Sequence, residues 1–148
     1  MNRLKKKGIR VLEITLHCNL GSLDATAFYN KKHLLPEYFS VNRDVAEKLT
    51  DLKRNGSRII AVGTTVVRAL ESARKGDKFY AADRYANIMI DGYSSLGIDG
   101  LVTGMHDPST SHLLMLSNFV DPFLLRCVSS SATSLPTEKN SGRRCFLL

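Results

Sequence analysis

The chain has 148 residues, with 21 Lys and Arg against 14 Asp and Glu, a formal net charge of +7. Apolar residues make up 43% and charged residues 24%, a globular balance that excludes collagen-like, low-complexity and wholly disordered chains. No apolar run approaches the roughly 18 residues of a membrane-spanning helix, and the basic stretch Met1–Arg10 is not followed by the apolar core of a signal peptide. A cytoplasmic protein with no membrane contact is therefore expected. Cys18, Cys127 and Cys145 are an odd number without CxxC spacing, which reads as free thiols rather than a disulfide framework or a zinc site. The positive balance permits contact with a polyanion without demanding one.

Taken in chain order, Arg3-Leu4-Lys5-Lys6-Lys7-Gly8 reads as the last turn of a helix, with cations at its C-terminal end and Gly8 as left-handed cap. One turn does not nucleate alone, so a longer chain is expected upstream. Arg10–His17 alternates, with Leu12, Ile14 and Leu16 on one face, as a half-buried strand does. Residues 18–40 show no clear period. Asn42 caps a helix whose stripe is Val45, Leu49 and Leu52, closed by Gly56.

Ser57–Val62 is a short β-branched run expected to form a buried central strand. Gly63-Thr64-Thr65 then opens a helical pattern through Arg74 that stops at Gly76. Arg84–Asp91 and Ile98–Thr103 read as two further strands, and Ser109–Phe119 as a helix capped by Ser109 or Thr110, with Leu113, Leu116 and Val120 on one side. Helices alternating with strands imply an α/β fold, a layered sheet with flanking helices. Residues 1–123 are read as the domain and 124–148 as a weakly ordered tail, because Ser129–Ser134 is nearly all Ser and Thr. Cys145-Phe146-Leu147-Leu148 fits a prenylation box, a four-residue pattern that arises often by chance.

Two clusters carry chemistry. Val62-Gly63-Thr64-Thr65 puts unpaired backbone N–H groups and hydroxyls at a strand-to-helix turn, where a carboxylate, ribose hydroxyl or phosphate fits. The two threonines equally read as plain helix caps, and Arg68 and Glu71, three apart, as a solvated ion pair. The second cluster, Asp99-Gly100-Leu101-Val102-Thr103-Gly104-Met105-His106-Asp107-Pro108, places Thr103 and His106 past a strand's carboxyl end, where open α/β sheets bind ligands. His106 could act as acid, base or donor near neutral pH, or merely cap a turn. Glu37 is the best placed carboxylate outside a helix pattern, with a surface loop glutamate as the plain alternative. His17, His106 and His112 lack metal-ligand spacing.

These motifs, in the order Thr15-Leu16-His17, Gly21-Ser22-Leu23, Pro36-Glu37, Ala61 to Glu71, Asp99 to Pro108 and Leu113-Leu114-Met115-Leu116, resemble the S-adenosylmethionine:tRNA ribosyltransferase-isomerase family from about Arg3 to Phe119. The resemblance implies the C-terminal portion of a larger two-domain fold. It implies transfer of the ribosyl part of S-adenosylmethionine onto a deazaguanine in the tRNA anticodon, giving epoxyqueuosine without a metal. Carried over onto this chain, His106, Thr65 and Arg68 become catalytic candidates, and Gly63, Thr64, Thr103 and Glu37 become S-adenosylmethionine-binding candidates. The implied partners are tRNA and S-adenosylmethionine; a further reading has a separately encoded N-terminal half supply the missing part, and without that half the chain is expected to show little or no activity. Departures from the family pattern fall at Lys32, Leu35 and Gly104. The rival reading, from another class, is a non-catalytic remnant or a basic RNA-contacting α/β module.

Overall fold

The structure, a computed structural model, describes residues 2–17, 35–104 and 111–121. Helix α1 (Asn2–Lys6) ends in a turn closed by Gly8 at φ 75°, the left-handed stop its sequence announces. Strand β1 spans only Thr15–Leu16. Its partner β2 (Glu37–Val41) pairs antiparallel, Thr15 with Ser40 and Leu16 with Phe39. Beyond Val41 the partner turns away at Asn42 into a helix, so nothing remains for residues 10–14 to bond. The expected longer strand is corrected accordingly, although Leu12, Ile14 and Leu16 still pack against the core.

Helix α2 (Arg43–Arg54) forms as its caps dictate. Asn42 Oδ1 accepts from the Val45 N–H at 2.8 Å, Asp44 sits in the first turn, and Lys53 and Arg54 in the last. Val45, Ala46, Leu49 and Thr50 are buried. Gly56 follows at φ 71°.

Strand β3 (Ile60–Val62) lies parallel to β7 (Gly100–Val102), Ile60 opposite Gly100 and Val62 opposite Val102. These two strands form a sheet of their own, so β3 is not the expected buried central strand. Ile59 and Ala61 are buried, but Ile60 is 46% and Val62 70% exposed, because only one face of the pair meets the core. Helix α3 (Thr64–Ser72) is packed among β1, β2, β3 and β6, which explains why Val67, Arg68, Ala69 and Leu70 are all buried in succession.

The helix ends two residues before the expected Arg74. Ala73 caps it, and Arg74 instead begins a small hairpin of β4 (Arg74–Lys75) and β5 (Lys78–Phe79), with Gly76 at φ 60° in the turn. The Thr50 hydroxyl accepts from the Phe79 N–H at 3.0 Å and donates to the Ala46 carbonyl at 2.9 Å, fastening that hairpin to α2.

Strand β6 (Ala82–Ala86) completes the β1-β2-β6 sheet, starting earlier and ending earlier than the expected Arg84–Asp91. Helix α4 (Ser111–Leu116) is shorter than its sequence pattern. It buries Met115, whereas Val120, expected on the apolar side, is 40% exposed. The fold is α/β, built of small sheets and flanking helices. Cys18, Cys127, Cys145, the expected cap residues of α4 and the Ser-rich tail lie outside the described residues.

Candidate functional site

The site begins where β3 stops. Gly63 has φ 105° and ψ 141°, a backbone state that side-chain-bearing residues rarely adopt. Its N–H donates to the Val102 carbonyl at 2.8 Å, carrying the parallel ladder one step past β3, while its carbonyl accepts from the Val66 N–H at 3.2 Å. One residue therefore closes the strand and opens the helix. No side chain caps α3, so the threonines do not serve as plain N-caps. The N–H groups of Thr64 and Thr65 have no bond within a helix to make and make none among the described residues. They lie at the positive end of the helix dipole. Thr64 is buried and Thr65 partly so, and Thr65 Oγ1 lies over Gly63, 3.7 Å from where a Cβ would stand.

Thr103 follows β7 directly. The register of Val62 against Val102 sets it beside Gly63, so two of the expected ligand-facing segments leave adjacent parallel strands at their carboxyl ends. His106 falls in residues 105–110, outside the described residues. Whether it shares a pocket with Thr64, Thr65 and Arg68, as the sequence leads one to expect, falls there too.

Arg68 lies one turn into α3. Its guanidinium donates to Glu37 Oε2 at 2.5 Å, to the Ile88 carbonyl at 3.3 Å and to the Leu35 carbonyl at 3.4 Å. Arg68 is 5% exposed and Glu37 1%. The expected solvated pair between Arg68 and Glu71 is thus corrected: Arg68 pairs with a strand carboxylate. Glu37 is no loop residue either. It points inward from β2, an orientation a carboxylate accepts only because a cation meets it there.

Glu71 has other work. Its Oε2 accepts from Arg74 Nε at 2.6 Å and its Oε1 from the Gly97 N–H at 2.8 Å. Arg74 in turn donates to the carbonyls of Gly76 and Ser95. This clamp binds the turn-rich segment before β7 to the end of α3. Sequence reasoning missed it, because its members are spread over a helix, a strand, a turn and a loop and only the pair Glu71 and Arg74 shows helical spacing.

Asp99 belongs to the second cluster by sequence but lies at the opposite end of β7 from Thr103, about 13 Å away at the rise of a strand. There it accepts from the Ile59 N–H and from Lys53 Nζ, each at 2.8 Å. Burial pushes its carboxyl up, but these two donors outweigh that and hold it below the ordinary value. Asp99 therefore fastens the strand starts to α2 and stands apart from the site. Among the described residues no three His, Cys, Asp or Glu side chains gather as metal ligands.

A family profile described as "Queuosine biosynthesis protein" matches residues 1–133. The chain belongs to that family. Curated relatives of the chain bear the name S-adenosylmethionine:tRNA ribosyltransferase-isomerase. The one from Prochlorococcus marinus (strain MIT 9312) is 40% identical over 126 residues, covering 81% of this chain and 33% of its own. The one from Halothermothrix orenii is 38% identical over 125 residues, covering 80% and 36%. The crystal structure of S-adenosylmethionine tRNA ribosyltransferase from Thermotoga maritima superposes with a TM-score of 0.64 at 26% identity, over 89% of this chain and 42% of that one. This family member thus spans about a third of the length of the curated relatives it matches. Among its described residues no helix is long and apolar enough to cross a membrane.

Proposed function

We propose that this chain contributes part of the cleft of an S-adenosylmethionine:tRNA ribosyltransferase-isomerase, with tRNA and S-adenosylmethionine as its substrates and the remaining family portion completing the cleft. The observation that carries this reading is the side-by-side exit of Gly63 and Thr103 from β3 and β7, with the first N–H groups of α3 aimed past the strand ends. Oriented donors of that kind suit the carboxylate or ribose hydroxyls of S-adenosylmethionine. Gly63, Thr64 and Thr103 take the binding role, and Thr65 donates its hydroxyl to the reacting sugar.

The chemistry is the transfer of the ribosyl group to the aminomethyl nitrogen of a deazaguanine in tRNA, with loss of adenine and methionine, giving epoxyqueuosine. The sulfonium acidifies the ribose methylene next to it, so a positioned base starts the rearrangement; His106 takes that role. The buried Arg68–Glu37 pair serves the reaction by position. It ties α3, which carries the threonines, to the start of β2 and to Ile88, and holds the turn still relative to the sheet.

The deciding experiment incubates the purified chain with precursor-containing tRNA and labelled S-adenosylmethionine, alone and after addition of the N-terminal portion of a relative. Label transfer that appears only in the mixture supports the reading. No transfer in either arm, when the intact relative is active in parallel, overturns it.

A further inference from the structure

The hairpin that follows α3 lines a cleft at the end of that helix remote from the threonines. It measures about 640 Å³ and is lined by Arg74, Lys75, Tyr80, Asp83 and Arg84 among others. We propose that this cleft seats the sugar-phosphate backbone of RNA, with Tyr80 as a stacking surface for a neighbouring base. The inference rests on the tRNA-directed reading above and assigns part of the tRNA contact to a definite surface.

Three observations carry it. First, the cations are of two kinds. Arg74 is committed to Glu71, Gly76 and Ser95 and only shapes the wall. The Lys75 ammonium makes no hydrogen bond or ion pair among the described residues, and Arg84 spends one amino group on the Ser72 carbonyl. Second, Lys75 stands directly opposite Lys78 across the hairpin, so two ammonium groups share one face. Like charges in that register destabilise a two-residue ladder, and an anion between them reverses the effect. Third, Tyr80 is 50% exposed, and the cleft's Asp83 is also the carboxylate that raises the pKa of Tyr38. Tyr38 in turn meets Tyr85 edge to face at 5.9 Å and His17 at 5.0 Å. Cations beside the open ring of Tyr80 fit a nucleic acid strand, which presents phosphates and π-faces in alternation, better than they fit an acidic peptide, which presents charge alone. Asp83 at the rim opposes a closely packed anion cluster and suits a strand crossing the cleft with its phosphates toward the lysines.

The test measures binding of labelled unfractionated tRNA to the full chain across a salt series, for the wild type, Lys75→Gln with Lys78→Gln, and Tyr80→Ala, with thermal midpoints recorded to confirm folding. The lysine variant is expected to bind roughly tenfold more weakly at low salt, with a log–log salt slope shallower by about 1.5, as two lost phosphate contacts require. Tyr80→Ala is expected to weaken binding roughly fivefold without changing the slope, because stacking releases no counterion. Wild-type affinity and slope in all variants would overturn the assignment, as would tighter binding of poly-glutamate than of tRNA at equal charge. If the wild-type chain retains no tRNA at low salt while the two-part mixture still transfers label, the cleft fails and the enzymatic reading stands.

Discussion

Arg68 on α3 reaches the carboxylate of Glu37 on β2, 31 positions earlier in the chain, at 2.5 Å, with both side chains buried. The pair joins the helix that opens at the threonine turn to the middle strand of the larger sheet. Removing one partner leaves the other charged and away from water. Arg68→Ala or Glu37→Gln should therefore cost about 3–5 kcal/mol, whereas Glu37→Leu with Arg68→Met should recover much of that loss. Urea denaturation of the two single variants and the double variant checks this. A single variant within 1 kcal/mol of wild type, by the same order-of-magnitude scale, would show that water or a neighbour compensates.

Glu37 also shows why part of this fold was hidden in the sequence. Strand β2 alternates correctly, Glu37, Phe39 and Val41 inward and Tyr38 and Ser40 outward, but its first inward residue is charged, so the polarity pattern reads as no pattern. Helix α2 was legible because its cap, charges and stripe are all local. The partner of Arg68 was not, because sequence spacing offers Glu71 three residues on and says nothing of a strand far upstream. At β3 the apolar run reads as a central strand, yet Ile60 and Val62 are exposed; apolar composition does not report how many strands flank a strand. The glycine and threonines of the turn were legible, since a strand-to-helix reversal within one residue leaves few other choices.

Gly63 should not tolerate a side chain. A Cβ would find room, its nearest neighbour being Thr65 Oγ1 at 3.7 Å, but φ of 105° is strained for any other residue. Gly63→Ala is expected to lose about 1–3 kcal/mol of stability, read from the denaturation midpoint. Since the strain is conformational, Gly63→Ser should lose a similar amount, and a neutral Gly63→Ala would mean that the turn relaxes freely.

Gly97 presents the opposite case, a glycine kept by crowding. A Cβ there would collide with Arg74 Cδ, and Arg74 is pinned by Glu71 and two carbonyls. Gly97→Ala should cost about 1–3 kcal/mol through overpacking. With Arg74→Ala already present the clash is gone, so the second substitution should cost little. A double-mutant cycle with additive effects would refute the clamp.

The Asp99 clip predicts an acid dependence with a definite sign. Its folded-state carboxyl lies below the ordinary value because the Ile59 N–H and Lys53 together outweigh burial. A depressed folded value contributes stability that is present above the unfolded value and is lost as the pH falls through the folded one. Asp99→Asn should thus lose about 1 kcal/mol near neutral pH and show a flatter decline in stability between neutral pH and strong acid than wild type. Parallel pH-dependent denaturation curves for the two proteins would remove Asp99 as a source of that decline.

The last expectation concerns turnover. Holding S-adenosylmethionine and a tRNA base in near-attack geometry needs walls on both sides of the cleft, and a displacement of about 1 Å can cost on the order of a hundredfold in rate. The donors at Thr64 and Thr65 stand at strand ends of a chain spanning about a third of its curated relatives' length. Thr65 is only partly buried, and where a cleft stays open to water oriented dipoles lose most of their electrostatic advantage. The chain by itself is expected to turn over little or no substrate, and addition of a relative's N-terminal portion to restore measurable transfer. In that mixture Thr65→Val should lower the rate by roughly tenfold to a hundredfold, on the scale of one lost transition-state donor, with the thermal midpoint little changed because its side chain caps nothing. A restored rate indifferent to Thr65 would move the chemistry away from this turn, and full turnover by the chain alone would show that one wall suffices.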